Sequence, residues 1–331
     1  MLNEDEEPSS GALPTGLVNA PCERSQDLVM RVGIPHPGGR LAFHAFNQSY
    51  PAMVSAHAFW FRRGARFRIP SATDLHEVDF ALDSAGFTAM RLWKAKGTQP
   101  GMAGVFPWTY AQYIELAALS GASWWSQPDL CCEPEIASNR DEVDYRIRAT
   151  ATLLEGVLRI LYAWQNELAK TCSSRTVANM LTPPVPVIQG WRPDDYLRSL
   201  DLLDKVWSRW EPWLARPALI GLGSVCRRHL HHPEHGLLSV LSRLEPAMPR
   251  GSRLHLFGVK GPSIAHLKMH RWIASVDSMA YDEGARRQAW RDGHSNTVAH
   301  RATAMTRWMG KAERYKQLRA GDQHRLGFAA D

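Results

Sequence analysis

Short apolar runs alternate with longer stretches of helical spacing along most of this chain. The runs fall at residues 41–46, 56–61, 79–83, 122–129, 185–189, 218–223, 254–259 and 273–277. Apolar runs of this length between polar turns predict strands. Residues 109–120 (TYAQYIELAALS) have apolar positions at helical spacing. Residues 141–170 predict a long helix, with Asp141, Glu142 and Asp144 early and Lys170 at the end, the order a helix dipole favours. A third helix is predicted over 194–210, opened by Asp194 as a capping residue beside Pro193. Eight strands separated mostly by helices predict an α/β protein of parallel βα units closed into a (β/α)8 TIM barrel. The barrel is expected over 26–285. Before it lies a polar, loosely attached arm (1–25), and after it a basic helical extension (286–331).

Composition narrows the setting. A hydrophobic fraction of 44% and a charged fraction of 22% describe an ordinary globular chain. No run approaches the roughly 18 apolar residues that a membrane span needs. The acidic N-terminus lacks the order of a secretory leader, and an odd five cysteines suit a reducing compartment, so the cytoplasm is expected. The net charge of +6 is unevenly placed: residues 284–331 hold ten Lys/Arg against four acids, and the rest of the chain balances. Such a segment suits contact with a phosphate backbone through Arg286, Arg287 and Arg291; a solvated basic helix has the same composition.

In a (β/α)8 barrel the site lies at the C-terminal ends of the strands. Four runs end in polar residues there: Asp83, Asp129, Gln189 followed by Gly190, and Asp277 followed by Ser278. A single strand-end Asp is commonly a helix cap. Three acids and an amide on one rim suggest chemistry.

The same residues carry a resemblance. Asp83–Ser84–Ala85–Gly86–Phe87–Thr88 is similar to the DSGGFQ loop of tRNA-guanine transglycosylases, departing at Ala85 and Thr88. Val187–Ile188–Gln189–Gly190 resembles their base-reading VQG segment, and Ile220–Gly221–Leu222–Gly223 their glycine-leucine turn. Leu256–Phe257–Gly258–Val259 resembles the strand with a GVG ending, and Val276–Asp277–Ser278–Met279–Ala280–Tyr281 the archaeal FDSASY motif. The resemblance implies Asp277 as nucleophile and Asp83 as proton acceptor and donor. It implies Asp129 on the N1–H and 2-amino edge of guanine, with Ser84, Gln189, Gly190, Gly258 and the backbone at Gly221 and Leu222 around the base.

The departures point to one branch. The bacterial zinc site, Cys-x-Cys-x-x-Cys with a later His, is missing, since no Cys lies beyond Cys226, and no room is expected for the archaeal RNA-binding domains. A bare barrel with a basic tail resembles the DpdA-type transglycosylases, which implies replacement of guanine in DNA by a 7-deazaguanine such as 7-cyano-7-deazaguanine. DNA and the free base are then the partners, with helper proteins of a DNA-modification system and no cofactor or membrane. The same exchange in tRNA and a catalytically inactive nucleic-acid-binding barrel remain alternatives. An extruded guanine would need aromatic support, for which Trp60, Trp108 and Trp191 are candidates and core packing the competing reading. The crowded stretch Cys226–His235 fits no regular zinc spacing and reads as a basic loop, with Arg227 and Arg228 toward phosphate.

Overall fold

A computed structural model describes residues 27–226 and 228–317. Its strands are β1 (Val29–Ile34), β2 (Ala52–Ser55), β3 (Trp60–Phe61), β4 (Arg66–Phe67), β5 (Phe80–Asp83), β6 (Trp124–Trp125), β7 (Val187–Ile188), β8 (Leu219–Leu222), β9 (Arg253–Leu256) and β10 (Ile273–Ser278). The helices are α1 (Arg40–Asn47), α2 (Gly86–Lys96), α3 (Tyr110–Leu119), α4 (Arg140–Leu168), α5 (Ser174–Met180), α6 (Pro193–Trp210), α7 (Leu237–Leu244), α8 (Ile264–Leu267), α9 (Ala280–Arg291) and α10 (Val298–Gln317). Eight strands form one parallel sheet in the order β6-β5-β2-β1-β10-β9-β8-β7, while β3 and β4 make a separate antiparallel pair. Beyond the two edge strands, Ser126 pairs with Val185. Val185 N–H donates to Trp125 O at 2.7 Å, and Gln127 N–H to Val185 O at 2.9 Å. The sheet therefore curls until its edges meet, an α/β arrangement compatible with a TIM-like barrel.

Alternation along the strands sorts the core into two layers. Met53, Ala81, Trp124, Val185, Leu219 and Ala274 cluster inside the curl, with Phe257 packed on them. Their strand neighbours Val54, Leu82, Ile220, Leu254 and Leu256 pack in the main cluster with helix residues such as Leu154, Leu158 and Leu203. Arg31 also lies inside, 1% exposed, with its guanidinium donating to Ala52 O at 3.2 Å and Asp79 O at 3.1 Å and paired with the Asp79 carboxylate.

Two expected strands are corrected. Residues 41–46 lie in α1, where Leu41, Ala42 and Ala45 are buried while Phe43 and Phe46 are exposed, a helical rather than an alternating pattern. Residues 56–61 form a 3-10 turn and the short β3. The strands that complete the sheet are β1 and β2, which lie just ahead of those two segments. The start of α6 also differs: Arg192 is the N-cap and Pro193 the first helical residue, and Asp195 accepts from Arg192 N–H at 2.8 Å. Asp194 lies outside that cap and pairs with Arg243.

The C-terminal helix belongs to the outer layer. α10 packs against α9, α8 and α1, burying Met305 and Ala312, and Lys268 Nζ donates to Lys316 O at 2.7 Å. The arm at 1–25, Arg227, and the end of the basic segment beyond Gln317 lie outside the described residues.

Removing the Arg31 guanidinium leaves the Ala52 and Asp79 carbonyls without these donors inside the curled sheet. Arg31→Ala should lower unfolding free energy by about 2–4 kcal/mol in chemical denaturation. An unchanged midpoint would mean that the interior closes over the gap.

Candidate active site

The polar strand ends converge on one cavity of about 1300 Å³, lined by Asp83, Asp129, Gln189, Gly258 and Asp277 together with Arg286 and Arg287. Parallel strands bring these residues to one rim: Asp83 ends β5, Asp277 lies near the end of β10, and Gln189 follows β7. Asp129, expected to end a strand over 122–129, lies instead in the loop beyond β6, which stops at Trp125. The volume exceeds the roughly 300–1,000 Å³ of most small-molecule sites, leaving space for more than a free base.

Asp83 Oδ2 accepts from Ala85 N–H at 3.1 Å. Burial first, and then the neighbouring Asp129 and Asp277, push its carboxyl up to about 7 against hydrogen bonds from Ala85 and Ser55. Ala85 holds φ 66°, a left-handed conformation in which an L side chain is strained, where the resembling loop has glycine. Gly86 has no such latitude, since a Cβ there would come within 2.6 Å of Asp129 O.

Asp129 is buried and held by other side chains. Ser84 Oγ donates to Oδ1 at 2.6 Å, and Gln189 Nε2 donates to Oδ2. Burial raises this carboxyl, with the bonds from Ser84, Gln189 and Cys131 acting in the opposite direction. The network continues to a residue that sequence reasoning missed, Glu133. Ser224 Oγ lies 2.5 Å from Gln189 Oε1 and 3.1 Å from Glu133 Oε2, and accepts from Cys132 N–H at 2.7 Å. The hydroxyl has one hydrogen, and its shorter contact is to the amide oxygen. The contact with Glu133 is then a hydrogen bond when that acid carries a proton. Consistently, burial pushes Glu133 up to about 7. In sequence this acid stands just after the cysteine pair and ends no apolar run, so only the fold brings it to the cavity.

Asp277 Oδ1 accepts from Gly258 N–H at 2.9 Å, and Gly258 adopts φ 76°. Behind it lies a second missed residue, His255, fully buried, with Nε2 3.4 Å from Asp277 Oδ1 but outside hydrogen-bond alignment. Its Nδ1 is 2.8 Å from Ser275 Oγ, and the ring sits edge-on between Trp124 and Phe257. A polar residue between Leu254 and Leu256 on a strand was the available signal, since alternation turns it inward.

Other expected residues fall elsewhere. Gly221 N–H donates to Pro186 O and Leu222 O accepts from Phe257 N–H, so these backbone groups serve the sheet, and Gly223 is the residue that lines the cavity. Gly190 packs against α6, where a Cβ would meet Asp195 at 2.6 Å. Arg228, expected at phosphate, is 4% exposed and donates to the carbonyls of Gly190, Trp191, Ser224 and His235 and to the Tyr196 hydroxyl. That burial commits it to holding the loop. Trp108 is buried and Trp60 packs on it, whereas Trp191 stacks on His235 beneath the Arg228 guanidinium. Arg291, also expected at phosphate, is exposed on α9, lies 3.3 Å from Asp292 and does not line the cavity. Among the described residues no group of His, Cys, Asp or Glu is arranged to hold a metal ion, and no helix is long and apolar enough to cross a membrane.

A curled parallel sheet with buried carboxyls at its strand ends defines the class: a barrel-type α/β protein whose site sits on the C-terminal rim. Within that class, residues 48–330 match DpdA, DeoxyPurine in DNA protein A, and the chain belongs to this family of deazapurine DNA-modification transglycosylases. No curated protein matches it.

The raised acids carry a pH signature. A carboxyl with a folded value near 7 and an unfolded value of about 4 binds its proton more tightly when folded. Asp83 and Glu133 therefore leave stability intact below about pH 4 and reduce it progressively as pH rises through about 7. Asp83→Asn and Glu133→Gln should each raise the melting temperature more at pH 8 than at pH 5. Equal shifts at both pH values would contradict the raised values.

Proposed function

We propose that this protein exchanges guanine in DNA for a 7-deazaguanine such as 7-cyano-7-deazaguanine, through a covalent intermediate on Asp277. The observation carrying this reading is the convergence of Asp83, Asp129, Gln189 and Asp277 on one cavity, in a chain of the DpdA family. Asp277, its carboxylate oriented by Gly258 N–H, attacks C1′ of the target nucleotide and forms an ester-type bond. The glycosidic bond breaks, and its electron pair leaves with guanine, which takes a proton from neutral Asp83. The incoming base gives its N9 proton to the Asp83 carboxylate, N9 bonds to C1′, and Asp277 is released. An acid poised near 7 serves both half-reactions, since both of its forms are populated at neutral pH.

Recognition of the base follows from the same geometry. Asp129 accepts from N1–H and the 2-amino group, and Gln189 turns an amide donor to the 6-oxygen. That assignment requires the Gln189–Asp129 bond to open as the base enters. Arg286 and Arg287, paired with Asp282 and Glu283 yet exposed at the cavity, supply phosphate contacts.

Asp277→Asn should abolish exchange and the covalent DNA complex, measured by incorporation of labelled base and by denaturing gel, with the melting temperature preserved. Wild-type turnover in this variant would overturn the nucleophile. Replacing Arg286 and Arg287 by Ala should weaken DNA binding across sequences and flatten the slope of log affinity against log salt by about two units. Free-base affinity in titration calorimetry should be unaffected. An unchanged slope would place the phosphate contacts elsewhere.

A further inference from the structure

Helix α9 leads directly out of the strand that carries Asp277, and it has two distinct faces. Tyr281, Asp282, Ala285 and Ala289 are buried against the fold. Glu283, Arg286, Arg287 and Trp290, spaced three and four residues apart, line the cavity that holds Asp277. Trp290 is 87% exposed, the most exposed of the large apolar side chains among the described residues. A large indole in water gains free energy when something covers it, and this one is held at the cavity mouth on a regular helix. Its surroundings select the partner: two exposed guanidinium groups share its face, and Arg91 and Lys260 line the same cavity. Cations around a bare aromatic plane match a nucleic-acid strand, whose phosphates take the charge and whose bases take the ring.

We propose that Trp290 is the stacking residue for duplex DNA, its indole covering the base next to the target when the guanine leaves the stack for the cavity. The inference rests on the base-exchange reading for the identity of the extruded base. Taking a base from a duplex exposes the faces of its neighbours, and an aromatic or apolar wedge restores part of the lost stacking. Trp60, Trp108 and Trp191 are committed to internal packing, so they are unavailable for this contact. On α9 the cations and the indole act together: Arg286 and Arg287 grip the strand on one turn, and Trp290 meets the opened stack on the next.

The test uses the full chain and a panel of duplexes in varied context, each prepared with guanine and with 2-aminopurine at the target position. Wild-type protein should raise the 2-aminopurine fluorescence in at least one duplex, because the extruded base leaves its stacked neighbours. At saturating protein, Trp290→Ala should lose most of that rise and bind the duplex about five- to fiftyfold more weakly, while Trp290→Phe keeps much of both. Binding of single-stranded DNA should fall much less in Trp290→Ala, since no stack has to be opened. A full rise in Trp290→Ala, an equal loss on single and double strands, no rescue by Trp290→Phe, or no rise with wild type would each overturn the proposal. Incorporation of labelled base by wild type is measured in parallel. A fluorescence rise without exchange would sink the catalytic reading alone, and exchange with an unaffected Trp290→Ala would sink this one alone.

Discussion

The structure turns on the burial of several carboxyl groups around one cavity. Asp83, Asp129, Glu133 and Asp277 line it together, and the desolvation and mutual repulsion of such a set oppose folding. The site meets that cost differently at each acid. Asp129 is surrounded by donors from Ser84 and Gln189, Asp277 takes a backbone N–H from Gly258, and Asp83 and Glu133 are pushed toward neutrality. In the proposed exchange the acids take different roles. A carboxyl poised near neutral pH can pass a proton in either direction, while one held by donors is suited to reading a ligand.

The sheet makes this possible because all of its strands point the same way. Parallel pairing brings the C-terminal ends of β5, β6, β7, β8, β9 and β10 to one rim, so residues almost 200 positions apart, such as Asp83 and Asp277, share a cavity. Below the rim the interior is filled by Trp124, Phe257, His255 and Arg31, which leaves the polar groups nowhere to relax except upward. Glycine does specific work at two points. Gly86 lets the turn after β5 approach Asp129, and Gly258, at positive φ, presents its N–H to Asp277.

The outer layer carries the basic C-terminal helices. α9 follows β10, the strand that carries Asp277, and leads to α10, which packs against α8 and α1. The net charge of the chain lies on residues 284–331, most of which form these two helices, but their arginines are not equivalent. Arg301 is mostly buried against Asp282, whereas Arg286 and Arg287 reach the cavity mouth. Charge counted along the sequence therefore measures a surface only after the helix has assigned each residue to a face.

How much was legible in sequence depended on whether the signal was local. The six later strands, the three predicted helices and the placing of Asp83, Asp129, Gln189 and Asp277 around one cavity were readable, because alternation, helical period and a polar residue closing an apolar run are properties of neighbouring positions. Asp129 nevertheless lies in the loop beyond β6 rather than at its end. The segments at 41–46 and 56–61 were misassigned because short apolar runs satisfy helix and strand templates alike, and pairing of β1 between β2 and β10 is what selects the strand. Tertiary structure alone decided the rest. It buried Arg228 under loop carbonyls, carried Glu133 to the end of the Asp129–Gln189–Ser224 network, set His255 behind Asp277, and left Trp290 rather than Trp60, Trp108 or Trp191 facing the cavity mouth. The physical reason is common to all four: exposure, desolvation and hydrogen-bond partnership are set by distant chain segments, and residue type fixes only what each side chain can do once it arrives.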